Sequence, residues 1–254
     1  MFDNELLFSN SAQPKSHFKY KYLIFTLFSA SWLTSCVAAV KLVSIFGITL
    51  TGGFIIFPLT SISSTILVEI YGFKNARQAA WCGLLLNIFF VFFIFFVGLI
   101  PSSPHWGLQS EYNHILLQSS RIIFASIVSF VISFFLNAYY ISTMKIKCEG
   151  KNLPKRILIS NTIANTVDIT CFISLAFLGA VPFNVYCQLL LAASIKKFLC
   201  EIILLPIAWY LIDKIKIHEG IEIFDLKTNY NPFSLENVYE LNAYRETKIT
   251  KKVM

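Results

Sequence analysis

Six apolar stretches, each long enough to form a membrane-crossing helix, dominate this chain: residues 22–46, 48–71, 79–100, 119–144, 157–181 and 183–212. About 20 apolar residues at roughly 1.5 Å rise each span the hydrocarbon core of a bilayer. Inside that core every backbone N–H and C=O needs an internal partner, so only helices or a closed barrel can cross. Barrel strands need about ten residues of alternating polarity, and the stretches do not alternate. The sequence therefore predicts an all-α fold, a polytopic bundle of six transmembrane helices. Composition agrees, with 56% of residues hydrophobic, only 14% charged and a mean hydropathy of +0.65; a soluble domain is about one quarter charged.

Lys and Arg set the expected orientation. Lys15, Lys19 and Lys21 precede the first stretch, Lys74 and Arg77 follow the second, Lys145 to Arg156 hold five basic residues after the fourth, and Lys214 and Lys216 follow the sixth. The other three loops hold none, with only Lys41 and Arg121 near their ends. This bias predicts both termini and the even loops in the cytoplasm. The net charge of +7 is then a topology signal, and no nucleic-acid partner is needed to explain it.

Three regions follow: a cytoplasmic N-terminal tail at 1–21, the six-helix domain at 22–213 and a cytoplasmic C-terminal tail at 214–254. The run from Tyr22 is too long for a signal peptide and lacks a small-residue cleavage site, so it is expected to stay as the first span. Acidic and basic residues nearly balance in the C-terminal tail, which argues against a polybasic lipid anchor and for disorder or a short amphipathic piece.

Polar residues inside the apolar stretches are the candidates for function. Asp168 is the sole ionisable group of the 157–181 stretch apart from the Cys171 thiol. A carboxylate at mid-membrane costs about 2.5 to 3.5 kcal/mol, so it calls for a partner, a wet cavity or a ligand. Lys197 falls at a matching depth in the sixth stretch. It either pairs with Asp168 or is neutralised within its own helix by Glu201 one turn on. An Asp168–Lys197 pair either docks two helices or borders a substrate cavity. Asn165 shares the face of Asp168, and Asn161 and Thr162 widen that polar stripe. The second stretch holds Pro58, several Ser and Thr residues including Thr65, and then Glu69. It reads as a kinked helix that either lines a cavity or makes interhelical hydroxyl contacts. Ser31, Ser35 and Ala39 recur every four residues, a small-residue stripe for close helix packing. Lys41 reads as a snorkelling side chain, with a cavity role as the rarer alternative.

No nucleotide-binding, metalloprotease or nucleophile-elbow motif is present. The six cysteines form no C-x-x-C pair and lie mostly in apolar runs, where cysteine acts as a small hydrophobe. His17, His105, His114 and His218 lie in tails or the third loop without metal spacing. No enzyme activity, metal or cofactor is expected. A solute carrier with this sequence draws on a gradient, a coupled ion, trapping of the solute or a separate energising subunit.

Phe57-Pro58-Leu59-Thr60, then Glu69-Ile70-Tyr71-Gly72 with Lys74, Arg77 and Ala80-Trp81-Cys82-Gly83, resembles the signature of the queuosine precursor transporter family, six-helix proteins also described as vitamin-uptake-like. The likeness continues at Arg156, Asn165, Asp168, Phe172, Ala176, Phe177, Gly179, Lys197 and Pro206, covering roughly 41–209. It departs from the pattern at three positions: Thr65 stands in place of an Asp, Cys36 in place of an Asn, and Asn165 in place of a Gln. The resemblance implies a bacterial inner-membrane importer of 7-deazaguanine queuosine precursors or queuine, serving tRNA modification. It implies a binding site drawn from Asp168, Asn165, Glu69, Lys197, Thr65, Phe57, Tyr71 and Phe172. One carboxylate can accept the paired N–H and amine of a guanine-like edge, and an aromatic face suits the flat ring. Readings of another class remain: a capture subunit dependent on an ATP-driven partner, and a structural or assembly protein; a homo-oligomer or a separate energising subunit stays open as partner.

Overall fold

Leu-, Ile- and Phe-rich runs wind into helices here because a helix satisfies its own backbone wherever the surroundings offer no water. A computed structural model describes residues 18–38, 41–45, 48–116, 120–179, 181–226, 228–234 and 243–246. In chain order the elements are α1 (Lys21–Ala38), β1 (Leu42–Ile45), β2 (Ile48–Thr51), α2 (Gly53–Leu99), α3 (Gln109–Leu116), α4 (Ser120–Lys147), α5 (Leu153–Phe177), α6 (Phe183–Glu219), β3 (Ile221–Phe224) and β4 (Ala243–Glu246). Four helical stretches are long and apolar enough to cross a membrane: Lys21–Ala38, Gly53–Leu99, Phe124–Lys147 and Leu153–Phe177. In the 37-residue α6 the apolar run is interrupted by Lys196, Lys197 and Glu201 near the middle.

The all-α expectation is corrected at two places. β1 and β2 pair antiparallel, Leu42 opposite Thr51 and Ile45 opposite Ile48, so the first helix stops at Ala38 and the second begins at Gly53. Val43, Ile45, Ile48, Thr49 and Thr51 are β-branched and favour the extended chain. β3 and β4 form the second antiparallel pair.

The stretches expected at 48–71 and 79–100 are joined in α2, whose 47 residues are about twice the length of one crossing. The break between its halves is Gly72, at φ 78° and ψ 168°. A side chain there is disfavoured twice, by the positive φ and by Asp225 Oδ1 and Ile223 Cγ2, each 3.0 Å from where a Cβ would sit. Asp225 supplies the missing cap: its Oδ2 accepts the Phe73 N–H at 3.0 Å, at the start of the second half-helix.

Helix ends converge at this level. Glu219, the last residue of α6, accepts the Lys19 and Tyr20 N–H groups ahead of α1 and the Tyr71 hydroxyl beside Gly72. Lys145 near the end of α4 and Arg156 near the start of α5 both reach Glu69. The described part of the segment after α6 packs against the same end instead of forming a loose tail. Ile223 and Phe224 are buried, Arg77 donates to the Asn229 and Asn231 carbonyls, and Trp81 Nε1 donates to Pro232 O.

The core lies where α1, α2 and α4 meet. Trp32 lies so close to Gly83 that a Cβ there would come within 2.7 Å of the indole, and it stacks on Phe130 at 3.9 Å between centroids. Thr60 Oγ1 donates to Ser31 Oγ, and Ser35 Oγ donates to Gly53 O. These contacts place Ser31 and Ser35 at the α1–α2 seam; Ala39 lies outside the described residues. The second half of α2 turns Phe89, Phe92, Phe93 and Phe96 outward, each more than half exposed. An apolar exterior of this kind suits hydrocarbon.

Candidate functional site

Five elements each turn one stripe of side chains toward a common cavity of about 250 Å³. On α5 the stripe is Asn161, Asn165, Asp168 and Phe172, spaced three or four residues apart and so on one face. Lys197 and Glu201 of α6, one turn apart, form the facing wall. Ser133 and Asn137 of α4, Phe57 and Ser61 of α2, and Trp32 and Cys36 of α1 complete it.

Asp168 and Lys197 pair across the α5–α6 boundary, with Lys197 Nζ 2.5 Å from Asp168 Oδ2. Ser133 Oγ donates to Asp168 Oδ1 at 3.2 Å. The pair is 17% exposed on both sides, so it is sheltered without being sealed. Lys197 Nζ also lies 4.9 Å from the centre of the Phe57 ring, a cation–π contact that steadies the ammonium.

Glu201, 5% exposed, is held differently. Its Oε1 accepts Ser61 Oγ at 3.0 Å and Asn165 Nδ2 at 3.2 Å, and its Oε2 accepts Asn161 Nδ2 at 2.7 Å. All three donors are neutral. Among the described residues no Lys or Arg forms an ion pair with it. Of the two readings of Lys197, the geometry selects Asp168 as its partner.

The expected site residues divide. Asp168, Asn165, Lys197, Phe57 and Phe172 line the cavity, whereas Glu69, Tyr71 and Thr65 lie outside it. Glu69 is fully buried. It is gripped by Arg156 in a two-pronged pair, Nη1 to Oε2 at 2.7 Å and Nη2 to Oε1 at 2.9 Å, and by Lys216 Nζ at 2.7 Å. Lys145 Nζ stands 3.9 Å from the same carboxylate and donates to the Glu69 and Ile223 carbonyls. Tyr71 is equally buried and spends its hydroxyl on Glu219 Oε1 at 2.8 Å. Thr65 turns its hydroxyl back to Ser61 O within α2. Nothing of these three faces the void, because interhelical cations, a helix-end carboxylate and the helix backbone have already claimed them. Conversely, Glu201 and Asn161 are central to the cavity. The signal for Asn161 was its place one turn before Asn165; the signal for Glu201 was its depth beside Lys197. Of the departures from the family pattern, Cys36 and Asn165 line the cavity and Thr65 does not.

All six cysteines are free thiols. No group of three or more His, Cys, Asp or Glu residues able to hold a metal occurs among the described residues.

A family model described as "Putative vitamin uptake transporter" matches residues 51–211. That range takes in Phe57, Asn161, Asn165, Asp168, Lys197 and Glu201 of the cavity. The "Probable queuosine precursor transporter" of Bacillus subtilis (strain 168) is 28% identical over 178 residues, covering 67% of this chain and 75% of the relative. No solved structure matches the chain. With most of the chain under the family match, and with its apolar helices arranged around an internal polar cavity, this protein belongs to the vitamin uptake transporter family of multi-pass membrane proteins.

Proposed function

We propose that the protein imports a 7-deazaguanine, either a queuosine precursor or queuine, across the bacterial inner membrane for use in tRNA modification. The observation that carries this reading is the cavity beside Asp168. A carboxylate has about four acceptor positions, two per oxygen. Ser133 fills one on Oδ1 and Lys197 one on Oδ2, which leaves one position open on each oxygen. The N–H and exocyclic amine of a guanine-like edge lie side by side and fill such a pair. Phe57 and Phe172 supply aromatic surface at the same wall. At about 250 Å³ the space lies just below the range of roughly 300 to 1,000 Å³ that encloses drug-sized ligands, a size suited to a bicyclic base. The name of the Bacillus subtilis relative supports the same class of substrate.

In this reading 22–213 is the transport domain. Its six crossings are α1, the two halves of α2 divided at Gly72, α4, α5 and α6. The basic residues clustered around Glu69 support an orientation with that end and both termini on the cytoplasmic side. The protein acts as a carrier with no catalytic step of its own.

The test is to express the chain in cells that neither make queuosine precursors nor retain their own importer, then to measure queuosine in tRNA as each 7-deazaguanine is supplied. Restoration by at least one base is expected. No restoration by any base, with the protein abundant in the membrane, overturns the assignment.

A further inference from the structure

Asp168 and Glu201 bring two negative charges to the cavity wall and Lys197 brings one positive charge, so one negative charge is left over. The Asp168–Lys197 pair balances itself, and the excess belongs to Glu201, which is 95% buried and held only by neutral donors. An uncompensated charge at that depth is costly and favours whatever cation reaches it.

A second, independent observation points the same way. Asn161 is 4% exposed, lines the cavity and gives its amide N–H to Glu201 Oε2, while its own Oδ1 has no hydrogen-bond partner. Asn137 Oδ1, also on the cavity wall, is likewise unpartnered. Buried acceptors without donors are rare and call for an explanation. Glu201 adds a further vacancy: Oε1 accepts two bonds and Oε2 accepts one, so one of its four acceptor positions is open. The open position on Oε2 and the empty Asn161 Oδ1 belong to two residues of the same wall that are hydrogen-bonded to each other. An ammonium offers three N–H donors and the missing charge.

We propose that the solute enters carrying a protonated amine arm, with Glu201 as its counter-ion and Asn161 Oδ1 as its second acceptor. This rests on the 7-deazaguanine reading above and sharpens it. The preferred base bears a cationic aminomethyl-type substituent at C7, and the ring edge goes to Asp168. A neutral nitrile at the same carbon has no donor. It presents a lone pair to the Glu201 carboxylate and leaves both vacancies unfilled.

Isothermal titration of the purified full chain in lipid nanodiscs against 7-aminomethyl-7-deazaguanine and 7-cyano-7-deazaguanine tests this directly. The wild type is expected to prefer the aminomethyl base by about tenfold or more, the weight of one charge-assisted hydrogen bond. Glu201→Gln should erase most of that preference. Asn161→Leu, which removes the unpartnered acceptor and keeps both charges, should lower the preference by a smaller factor. Equal binding of the two bases by the wild type, or tighter binding of the cyano base, overturns the charge assignment and leaves the transport reading intact. Binding of neither base overturns both. The wild-type ratio decides the matter even if a variant fails to fold.

Discussion

Glu69 and Glu201 are both buried carboxylates inside one helical bundle, and they are handled in opposite ways. Glu69 has Arg156 on both oxygens, Lys216 on Oε1 and Lys145 close by, and it lies outside the cavity. Glu201 has two asparagine amides and a serine hydroxyl, and it lies at the cavity wall. A carboxylate surrounded by cations from α4, α5 and α6 is a fastening: its partners arrive from separate helices and fix them at one end of the bundle. A carboxylate held only by neutral donors, with an open acceptor position and a neighbouring space, suits a receptor. Burial alone does not separate the two roles; the charge of the donors and the presence of a void do.

The largest effect that could break this contrast is expected at Glu69. Glu69→Gln removes the carboxylate on which Arg156, Lys145 and Lys216 converge, and removing one member of a buried ion pair costs about 3–5 kcal/mol. Membrane abundance and monodispersity in detergent should fall sharply. A variant with wild-type abundance and lost uptake would instead make Glu69 a binding group and dissolve the distinction.

The smallest effect is expected at Asp225, in the segment after α6. Burial pushes its carboxyl above the usual aspartate range, against the Phe73 N–H and Ser142 hydroxyl that hold the ionised form. The folded protein therefore binds its proton more tightly than the unfolded chain. Stability should decline as pH rises from the unfolded value through the raised folded value. Asp225→Asn keeps a capping acceptor for Phe73 and removes the charge, so it should change stability by under about 1 kcal/mol. The thermal midpoint of the variant should also lose that pH trend relative to wild type. An unchanged trend would detach Asp225 from the junction at Gly72.

Much of this architecture was legible in the sequence because membrane helices need length and apolarity, and both are local properties. The Asp168–Lys197 pair was legible too, since two charges at equal depth in adjacent apolar stretches have few other partners. The hairpin at 42–51 was not, because a short β-branched segment inside a long apolar run carries no periodicity of its own. The start of the second half of α2 was also hidden. Lys74, Asn75 and Arg77 look like a loop, yet they lie in a helix whose start is capped by a residue about 150 positions away. The partners of Glu69 were hidden for a similar reason: Lys145, Arg156 and Lys216 come from three other helices, and no spacing rule links them. Glu201 was drawn toward Lys197 by the one-turn rule, whereas Asn161 and Asn165 on the neighbouring helix hold it.

The central claim is that the cavity at Asp168 receives the solute. Equilibrium binding of a labelled 7-deazaguanine to purified wild-type protein and to Asp168→Asn, with the ligand-free thermal midpoint of each recorded alongside, tests it most directly. Saturable binding by the wild type, lost in the variant while the midpoint stays within a few degrees, is the predicted result. Binding by Asp168→Asn equal to that of the wild type would contradict the account.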